Sequence, residues 1–293
     1  MPQINAQRGN TEVKSTAKTK KRPGLPAVWP GLALALLLCG GLVLLGWVLP
    51  PPVQARETAT PDDRFALPAQ ARPGDDAQEV MLLKIVCLTF DDGPSVNTEK
   101  ILKLLAEKQV PATFFVTAQE ANLPYYPLLA QAQAQGHQIA LHSACHDYAR
   151  LYANPQAFWL DIKALRGALQ PYVEVGGIHW LRFPGGSTNT VSHRYGGAGI
   201  MQTLEAQAGE RGYEWIDWNV CAEDATASRP NADQIVRNIQ AQSQNRDICV
   251  VLLHDTRATG QTVQALPRIL DWYQAQGYHF CTVEEMYETR DGG

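Results

Sequence analysis

Cysteine is sparse in this chain, and no two cysteines form a Cys-x-x-Cys pair. Six occur in 293 residues, and one of them, Cys39, lies within a long apolar segment. The other five are an odd number: Cys87, Cys145, Cys221, Cys249 and Cys281. Their spacing assigns no disulfide framework. Four of them lie in or beside apolar runs, which indicates small buried side chains, with an extracellular disulfide as the alternative.

Positive charge is also scarce once the N-terminus is left aside. Residues 1–27 hold six basic residues against Glu12 alone. Subtracting these from the 25 basic and 29 acidic residues of the whole chain leaves 19 and 28, a net charge of −9. So acidic a balance argues against nucleic acid or another polyanion as the main partner.

Charge is absent altogether from residues 28–49. A span of about 20 apolar residues is long enough for a helix to cross the hydrocarbon core of a membrane. Trp29 and Trp47 lie near its ends, where aromatic rings prefer the interface, and a Lys-Lys-Arg cluster precedes it. This pattern predicts a cytoplasmic basic tail at 1–27, a transmembrane anchor at 28–49, and a single-pass membrane protein whose folded part is extracellular.

A cleaved signal peptide is the alternative, with Val-Gln-Ala at 53–55 as a small-residue cleavage site that would release a secreted protein. Secretory apolar regions usually span about 7–15 residues, so the longer segment favours an uncleaved anchor. Residues 50–80 are rich in Pro, Ala, Gln and Asp, which predicts a flexible spacer. The folded domain is then expected at 81–293, and it contains no internal repeat.

Apolar strand-like runs alternate with segments of helical periodicity from residue 81 onwards. Strands are predicted at 81–90, 112–116, 137–141, 180–183, 213–220, 247–253 and 278–283. Helices are predicted at 98–108, 125–135, 157–169, 199–209, 232–245 and 263–276. This alternation indicates a mainly parallel α/β sheet with helical crossovers. Six or seven such units in roughly 210 residues could close into a barrel, and an open doubly wound sheet is the alternative.

Two adjacent carboxylates follow the first predicted strand, in the segment Thr-Phe-Asp-Asp-Gly-Pro at 89–94. Adjacent residues that leave a strand point in different directions. We therefore expect one of Asp91 and Asp92 to bind a metal while the other faces a reacting water molecule. A turn with helix-capping aspartates is the alternative.

Two of only seven histidines follow the third predicted strand, in the segment His-Ser-Ala-Cys-His at 142–146. The spacing predicts that both imidazoles lie on one face of a helical turn. With a carboxylate, His142 and His146 would form a facial metal site with open positions for water and substrate. A pair of surface histidines is the alternative, and Cys145 is a weaker candidate for a zinc ligand because of its offset.

Two further segments place polar groups after strands. Arg182 precedes a Pro-Gly-Gly turn at 184–186 and could form a bidentate ion pair with a carboxylate, while the turn could expose N–H groups to an oxyanion. His254 ends a Leu-Leu-His segment, where partial burial would adjust its pKa for general acid–base work. A plain turn and a structural histidine are the alternatives. Parallel α/β folds place their active sites at such strand ends.

In order and spacing, these four segments resemble the motifs of the polysaccharide deacetylase family, also called the NodB-homology or carbohydrate esterase family 4 domain. The segment at 89–94 matches the first family motif residue for residue. The segments at 142–146, 182–186 and 252–254 fit His-[Ser/Thr]-x-x-His, Arg-x-Pro-x-Gly and Leu-x-His. The resemblance spans about 81–287 and implies a metal-dependent polysaccharide N-deacetylase. The implied fold is a distorted (β/α) barrel of the NodB-homology type with fewer than eight strands.

The resemblance also implies which residues hold the metal and which one accepts a proton. Asp92, His142 and His146 would be the metal ligands. The metal would be zinc, with cobalt or another divalent metal as the alternative. Asp91 would be the general base, and Arg182 would orient it.

The remaining implied roles concern the general acid and the substrate. His254 would be the general acid, and Asp224 matches the aspartate that pairs with this histidine in the family. Gly185 would offer its N–H to the oxyanion, and Leu252 would line the pocket for the acetyl methyl group. The substrate-binding set is then Gly185, Leu252, Pro184 and Trp218.

The fourth family motif is altered in this chain. Its usual form is similar to Trp-Asp-Val-Asp-Ser-x-Asp-Trp, whereas residues 218–225 read Trp-Asn-Val-Cys-Ala-Glu-Asp-Ala. Ala225 replaces the closing tryptophan, and Gly185 stands where a tyrosine is frequent. These departures affect the substrate groove more than the chemistry. The segments RFPGGS, DWNV and GIM resemble a branch found in clostridial-type Gram-positive bacteria.

The predicted extracellular location limits which substrates the protein can reach. A tethered enzyme with a spacer of about 30 residues can reach the cell wall, so peptidoglycan N-acetylglucosamine is expected. N-acetylmuramic acid, a secreted polysaccharide and chitin oligomers are alternatives. A carbohydrate-binding pseudoenzyme tethered at the wall is a rival, but every matched catalytic and metal position is intact. A second His/Asp cluster is missing from the sequence, which argues against a two-metal site.

Overall fold

The computed structural model describes residues 84–291. The predicted tail, anchor and spacer lie outside the described residues, so the structure does not bear on them. Within the described range, no helix combines the length and the apolar character needed to cross a membrane.

Eight strands are present in residues 84–291, and every pair of neighbours is parallel. They are β1 (Ile85–Asp91), β2 (Thr113–Thr117), β3 (Gln138–Ser143), β4 (Trp180–Leu181), β5 (Glu214–Trp215), β6 (Val220–Cys221), β7 (Ile248–His254) and β8 (His279–Phe280). Seven lie side by side in the order β5-β4-β3-β2-β1-β7-β6, and β8 pairs with the first residues of β1. The seven-strand path forms a curled half-barrel, consistent with the expected barrel of fewer than eight strands.

Helices lie between the strands and after the last one. They are α1 (Thr98–Lys108), α2 (Pro127–Ala134), α3 (Tyr148–Leu151), α4 (Pro155–Leu169), α5 (His193–Gly196), α6 (Ile200–Glu210), α7 (Ala232–Ser243), α8 (Gly260–Ala275) and α9 (Val283–Asp291). The six longer helices between strands match the predicted ones to within a few residues. The sequence did not predict the short helices α3 and α5 or the acidic helix α9, because none shows a clear apolar stripe.

Alternate residues of the central strands contribute to two apolar layers. In β1, Leu88 and Phe90 join a large cluster that includes helix residues such as Ile101. Cys87 faces the other side and packs in a smaller cluster with residues such as Trp180. Because both faces of the sheet are covered, these strands are continuous apolar runs in the sequence.

The single strand predicted at 213–220 is wrong. The chain forms β5, which pairs with β4, and then β6, which pairs with β7 at the opposite edge of the sheet. Between them the backbone carbonyls of Ile216 and Asp217 accept hydrogen bonds from the guanidinium of Arg182. Because a side chain takes these acceptors, the segment crosses the open side of the half-barrel without continuing a strand ladder.

All five cysteines in the described range are free. Cys87, Cys249 and Cys281 are buried, as expected for small apolar side chains, and Cys145 and Cys221 are half-buried. The Sγ atoms of Cys87 and Cys281 are 3.5 Å apart.

Candidate metal centre and active site

The two adjacent aspartates lie where β1 ends. Asp91 is the last residue of β1 and is 3% exposed. Asp92 adopts a left-handed backbone conformation with φ of 71°. Its carbonyl oxygen accepts hydrogen bonds from Thr117 Oγ1 (3.0 Å) and Asn122 Nδ2 (2.8 Å), which stabilise this conformation.

The next residue in this turn has to be glycine. A Cβ atom on Gly93 would lie 2.7 Å from Oδ2 of Asp255, too close for any side chain. Asp255 is fully buried and accepts hydrogen bonds from Ser95 Oγ (2.6 Å) and Thr98 Oγ1 (2.5 Å). The Gly-Pro of the motif thus lets β1 turn tightly against the end of β7.

His142 and His146 do not lie on a helical turn, so that prediction is wrong. His142 belongs to β3, and His146 lies in the following bend with φ of 48°. Their rings nevertheless lie close together, with centroids 5.2 Å apart. The bend replaces the helix because another side chain satisfies its backbone N–H groups.

That side chain is Asp161 on α4. Its Oδ2 accepts hydrogen bonds from Ser143 Oγ (2.8 Å) and Ala144 N (2.7 Å), and its Oδ1 accepts one from Cys145 N (3.0 Å). Ser143 Oγ in turn accepts one from His146 N at 2.8 Å. Asp161 therefore holds the whole segment between the two histidines. The sequence did not single it out, because it lies 15 residues after His146 on an otherwise ordinary helix.

Asp92, His142 and His146 converge on one point. One ligand atom from each lies within 4.8 Å of the others. Asp92 Oδ1 is 3.6 Å from Nε2 of His142 and 3.3 Å from Nε2 of His146. The structure thus brings together the three residues that the sequence predicted as metal ligands.

The protonation states of this cluster fit a metal cation. His142 Nδ1 is 2.8 Å from the carbonyl oxygen of Arg182, so Nδ1 carries the proton and Nε2 presents a lone pair. Burial lowers the pKa of His142 to about 3, which keeps the ring neutral. Asp92 Oδ1 is buried and has no hydrogen-bond partner within the described residues. This buried carboxylate oxygen, which lies beside the lone pair of His142 Nε2, has no positively charged partner, and a divalent metal with N/O ligands would supply one.

Arg182 is fully buried and binds Asp91, although not by the bidentate bridge that the sequence predicted. A single bond joins Nη1 to Asp91 Oδ1 at 2.8 Å, and Nη1 also donates to Thr89 Oγ1 at 2.7 Å. Nε and Nη2 instead donate hydrogen bonds to the carbonyls of Ile216 and Asp217. The other carboxylate oxygen of Asp91, Oδ2, is 3.9 Å from His142 Nε2. Asp91 is thus held at one oxygen while the other faces the metal cluster.

The pKa of Asp91 is raised above its ordinary value, because burial disfavours the charged carboxylate. The nearby charge of Arg182 opposes this rise. A carboxylate with a raised pKa is a stronger proton acceptor than an ordinary aspartate, as a general base requires.

His254 and Asp224 form a hydrogen-bonded pair at the end of β7. His254 Nδ1 is 2.8 Å from Asp224 Oδ1, and Asp224 Oδ2 accepts hydrogen bonds from His254 N (2.9 Å) and Thr262 Oγ1 (2.7 Å). Burial alone would lower the pKa of His254, but the hydrogen bond and charge of Asp224 outweigh it, and the pKa rises to about 9. His254 is directly opposite Asp91 in the β1–β7 register.

The four predicted substrate-binding residues differ in their exposure and in their contacts. Gly185 is exposed with φ of 80°, and its N–H forms no hydrogen bond within residues 84–291. Pro184 is buried, and its carbonyl accepts a hydrogen bond from Tyr152 Oη at 2.8 Å. Trp218 is half-buried, with its ring 5.6 Å from the Arg182 guanidinium carbon. Leu252 is 5% exposed and alternates with Val251, so it faces the interior of the half-barrel.

Comparison with known proteins gives a consistent result. A family model described as polysaccharide deacetylase matches residues 81–198. The chain is 32% identical over 205 residues to a peptidoglycan-N-acetylglucosamine deacetylase of Bacillus cereus, covering 69% of this chain and 88% of that protein. It is 30% identical over 208 residues to a bifunctional xylanase/deacetylase of Pseudobutyrivibrio xylanivorans, which covers 71% of this chain but only 31% of that longer protein.

A solved structure is similar as well. It is the catalytic domain of a peptidoglycan N-acetylglucosamine deacetylase from Eubacterium rectale, with a TM-score of 0.65 and 38% sequence identity. The match covers 68% of this chain and 88% of that one.

Proposed function

The chain belongs to the polysaccharide deacetylase family, and we propose that it removes N-acetyl groups from an extracellular polysaccharide in a reaction that depends on a divalent metal. Zinc is the first choice for the metal, with cobalt or another divalent ion as the alternative, because two imidazoles and one carboxylate suit zinc. The single observation that carries the proposal is the buried, unpartnered Oδ1 of Asp92 facing Nε2 of both histidines, beside the second carboxylate of Asp91.

The residues around the proposed metal site have different roles in the hydrolysis. A bound metal would polarise the acetyl carbonyl and lower the pKa of water in the site. Asp91 accepts the proton of the attacking water, since its free oxygen faces the cluster and burial raises its pKa. Arg182 holds the other oxygen of Asp91 and so sets the direction of proton transfer.

His254 supplies the proton that the leaving amine needs. With a pKa of about 9 the ring is charged at neutral pH, and Asp224 fixes it through Nδ1, leaving Nε2 to donate. The N–H of Gly185 lies at the exposed rim and is free to hold the oxyanion. The products are acetate and a free amino sugar.

Peptidoglycan N-acetylglucosamine is the proposed substrate. It is the sugar named for the Bacillus cereus and Eubacterium rectale relatives. The apolar segment at 28–49, with basic residues before it, supports a membrane anchor that leaves the domain outside the cell, and release by signal cleavage would leave it outside as well. Other N-acetylated polysaccharides are alternatives, because Ala225 and Gly185 change the groove.

The test is acetate release by the purified full-length protein after incubation with zinc. Peptidoglycan and N-acetylchitooligosaccharides serve as separate substrates. We expect acetate release from peptidoglycan by the wild type. The Asp91→Asn variant should lose roughly 100- to 10,000-fold of this activity while it still binds zinc. Polysaccharide binding without acetate release by the wild type would instead favour the pseudoenzyme, and full activity of Asp91→Asn would refute the assignment of the base.

Metal dependence has a test that does not rely on turnover. A ligand that binds only the folded state raises its stability, by about 4 kcal/mol at a thousandfold excess over Kd. Zinc should therefore raise the melting temperature of the chelator-treated protein, and the Asp92→Asn variant should show little or no rise. An equal rise in both proteins would place the metal elsewhere.

A further inference from the structure

Tyr148 is a side chain that the sequence did not single out, and it lies beside the metal cluster. It is the first residue of α3, whose start is set by the Asp147 carboxylate accepting hydrogen bonds from Ala149 N (2.9 Å) and Arg150 N (3.3 Å). The half-buried ring of Tyr148 packs edge-on against the ring of His146, with centroids 5.8 Å apart.

The residue that caps the C-terminus of α3, Tyr152, contacts the Pro-Gly-Gly turn. Tyr152, one helical turn after Tyr148, donates a hydrogen bond from Oη to the carbonyl of Pro184. The hydroxyl of Tyr148 then lies over the next residue of the turn. A Cβ atom on Gly185 would be 2.6 Å from Tyr148 Oη and 3.4 Å from Cε1. The phenol therefore fills the space that a side chain at position 185 would need.

The hydroxyl of Tyr148 forms no hydrogen bond to any residue in 84–291. The buried tyrosines of the same range differ, since Tyr126, Tyr152 and Tyr278 donate to backbone carbonyls and Tyr273 bonds Ser243. The N–H of Gly185 is likewise without a partner in the described part of the chain. Two donors without a partner thus lie close together, and the ring that carries one of them packs against His146.

We infer that the Tyr148 hydroxyl is a second donor to the acetyl oxygen as it becomes an oxyanion, acting together with the Gly185 N–H. The inference rests on the proposed deacetylation. During attack on an amide, negative charge grows on the carbonyl oxygen, and donors aimed at that position stabilise the transition state more than the ground state. A tyrosine hydroxyl can donate one such bond.

The test is the Tyr148→Phe variant of the full-length protein, compared with Tyr195→Phe as a control for an exposed tyrosine. We expect kcat for acetate release to fall roughly 10- to 100-fold with KM changed less than about twofold, since the bond forms in the transition state. Zinc affinity and melting temperature should match the wild type. An unchanged kcat, a rise in KM alone or a loss of zinc affinity would each overturn the inference.

A second measurement tests the contact without turnover. The Gly185→Ala substitution is made in two backgrounds, the wild type and the Tyr148→Phe variant. It should lower the melting temperature more in the wild-type background, because the new Cβ meets the hydroxyl only when tyrosine is present. Equal losses in both backgrounds would refute the contact. If the wild type released no acetate, the proposed function would fail and this inference with it. An active wild type with an equally active Tyr148→Phe would overturn the inference alone.

Discussion

The backbone carbonyl of Arg182 accepts a hydrogen bond from His142 Nδ1, while the guanidinium of the same residue binds Asp91. One buried residue thus orients a candidate metal ligand through its main chain and the candidate base through its side chain. Any residue at position 182 could provide the backbone carbonyl, whereas only arginine provides the guanidinium.

Arg182→Lys should therefore separate these two contributions. A lysine ammonium cannot reach Thr89, Asp91 and the two carbonyls of 216 and 217 with the geometry of a guanidinium fork. Leaving buried acceptors unpaired costs about 1–3 kcal/mol each, so we expect the free energy of unfolding to fall by about 3 kcal/mol or more. Urea denaturation measures this. Arg268→Lys, at an exposed ion pair with Asp233, should change it little, and an equal effect in both variants would contradict the prediction.

Asp161→Asn should weaken metal binding without touching a ligand. Both carboxylate oxygens of Asp161 accept hydrogen bonds from backbone N–H groups of the bend. The amide of asparagine has only one oxygen, so its NH₂ group would face a backbone N–H, and two donors cannot bond each other. Loosening a partner that orients metal ligands typically costs about 10- to 100-fold in affinity. A zinc competition titration measures Kd, and Asp233→Asn on the surface of α7 is the matched control. Equal zinc affinity in wild type and Asp161→Asn would exclude this role.

The pH profile of kcat should depend on Asp224. His254 must be protonated to act as an acid, so activity should persist below its pKa and decline as the pH rises through about 9. In Asp224→Asn the burial that lowers the pKa of His254 remains, while the main interaction that raises it is lost. We expect the alkaline decline to move toward the ordinary value near 6.5. A decline at the same pH in both proteins would show that His254 does not set it.

His137 should make the fold sensitive to acid. The residue is 5% exposed, and neither ring nitrogen has a hydrogen-bond partner within the described residues. Burial lowers the pKa of His137 to about 4. Between pH 6.5 and 4 the unfolded chain takes up a proton that the folded chain does not. Stability is therefore complete above the unfolded pKa and is lost as the pH falls toward 4.

Between pH 7.5 and pH 5, the free energy of unfolding of the wild type should fall by about 2 kcal/mol more than that of the His137→Phe variant. Urea denaturation of chelator-treated protein at the two pH values measures it. The exposed His193→Phe should behave as the wild type. A pH dependence that is the same in His137→Phe and the wild type would mean that the folded protein protonates this ring readily.

The sequence by itself determined the family, the parallel α/β architecture and the order of the polar motifs. Strands buried on both faces produce continuous apolar runs, and each motif follows its strand directly along the chain. Because parallel strands end at one rim, local order predicted that one of the two adjacent aspartates would meet His142 and His146. The family resemblance implied that this aspartate is Asp92, and the structure does bring these three residues together. The resemblance to the polysaccharide deacetylase family is confirmed by the family model and the relatives.

Tertiary structure alone decided how these groups are held. The bend at His146 depends on Asp161 from α4, and the break between β5 and β6 depends on Arg182, the residue that follows β4. The phenol of Tyr148 meets Gly185 only because α3 docks on that turn. Such contacts join residues far apart in the chain, and their geometry is set by sheet register and helix docking, which leave no periodic pattern in the sequence.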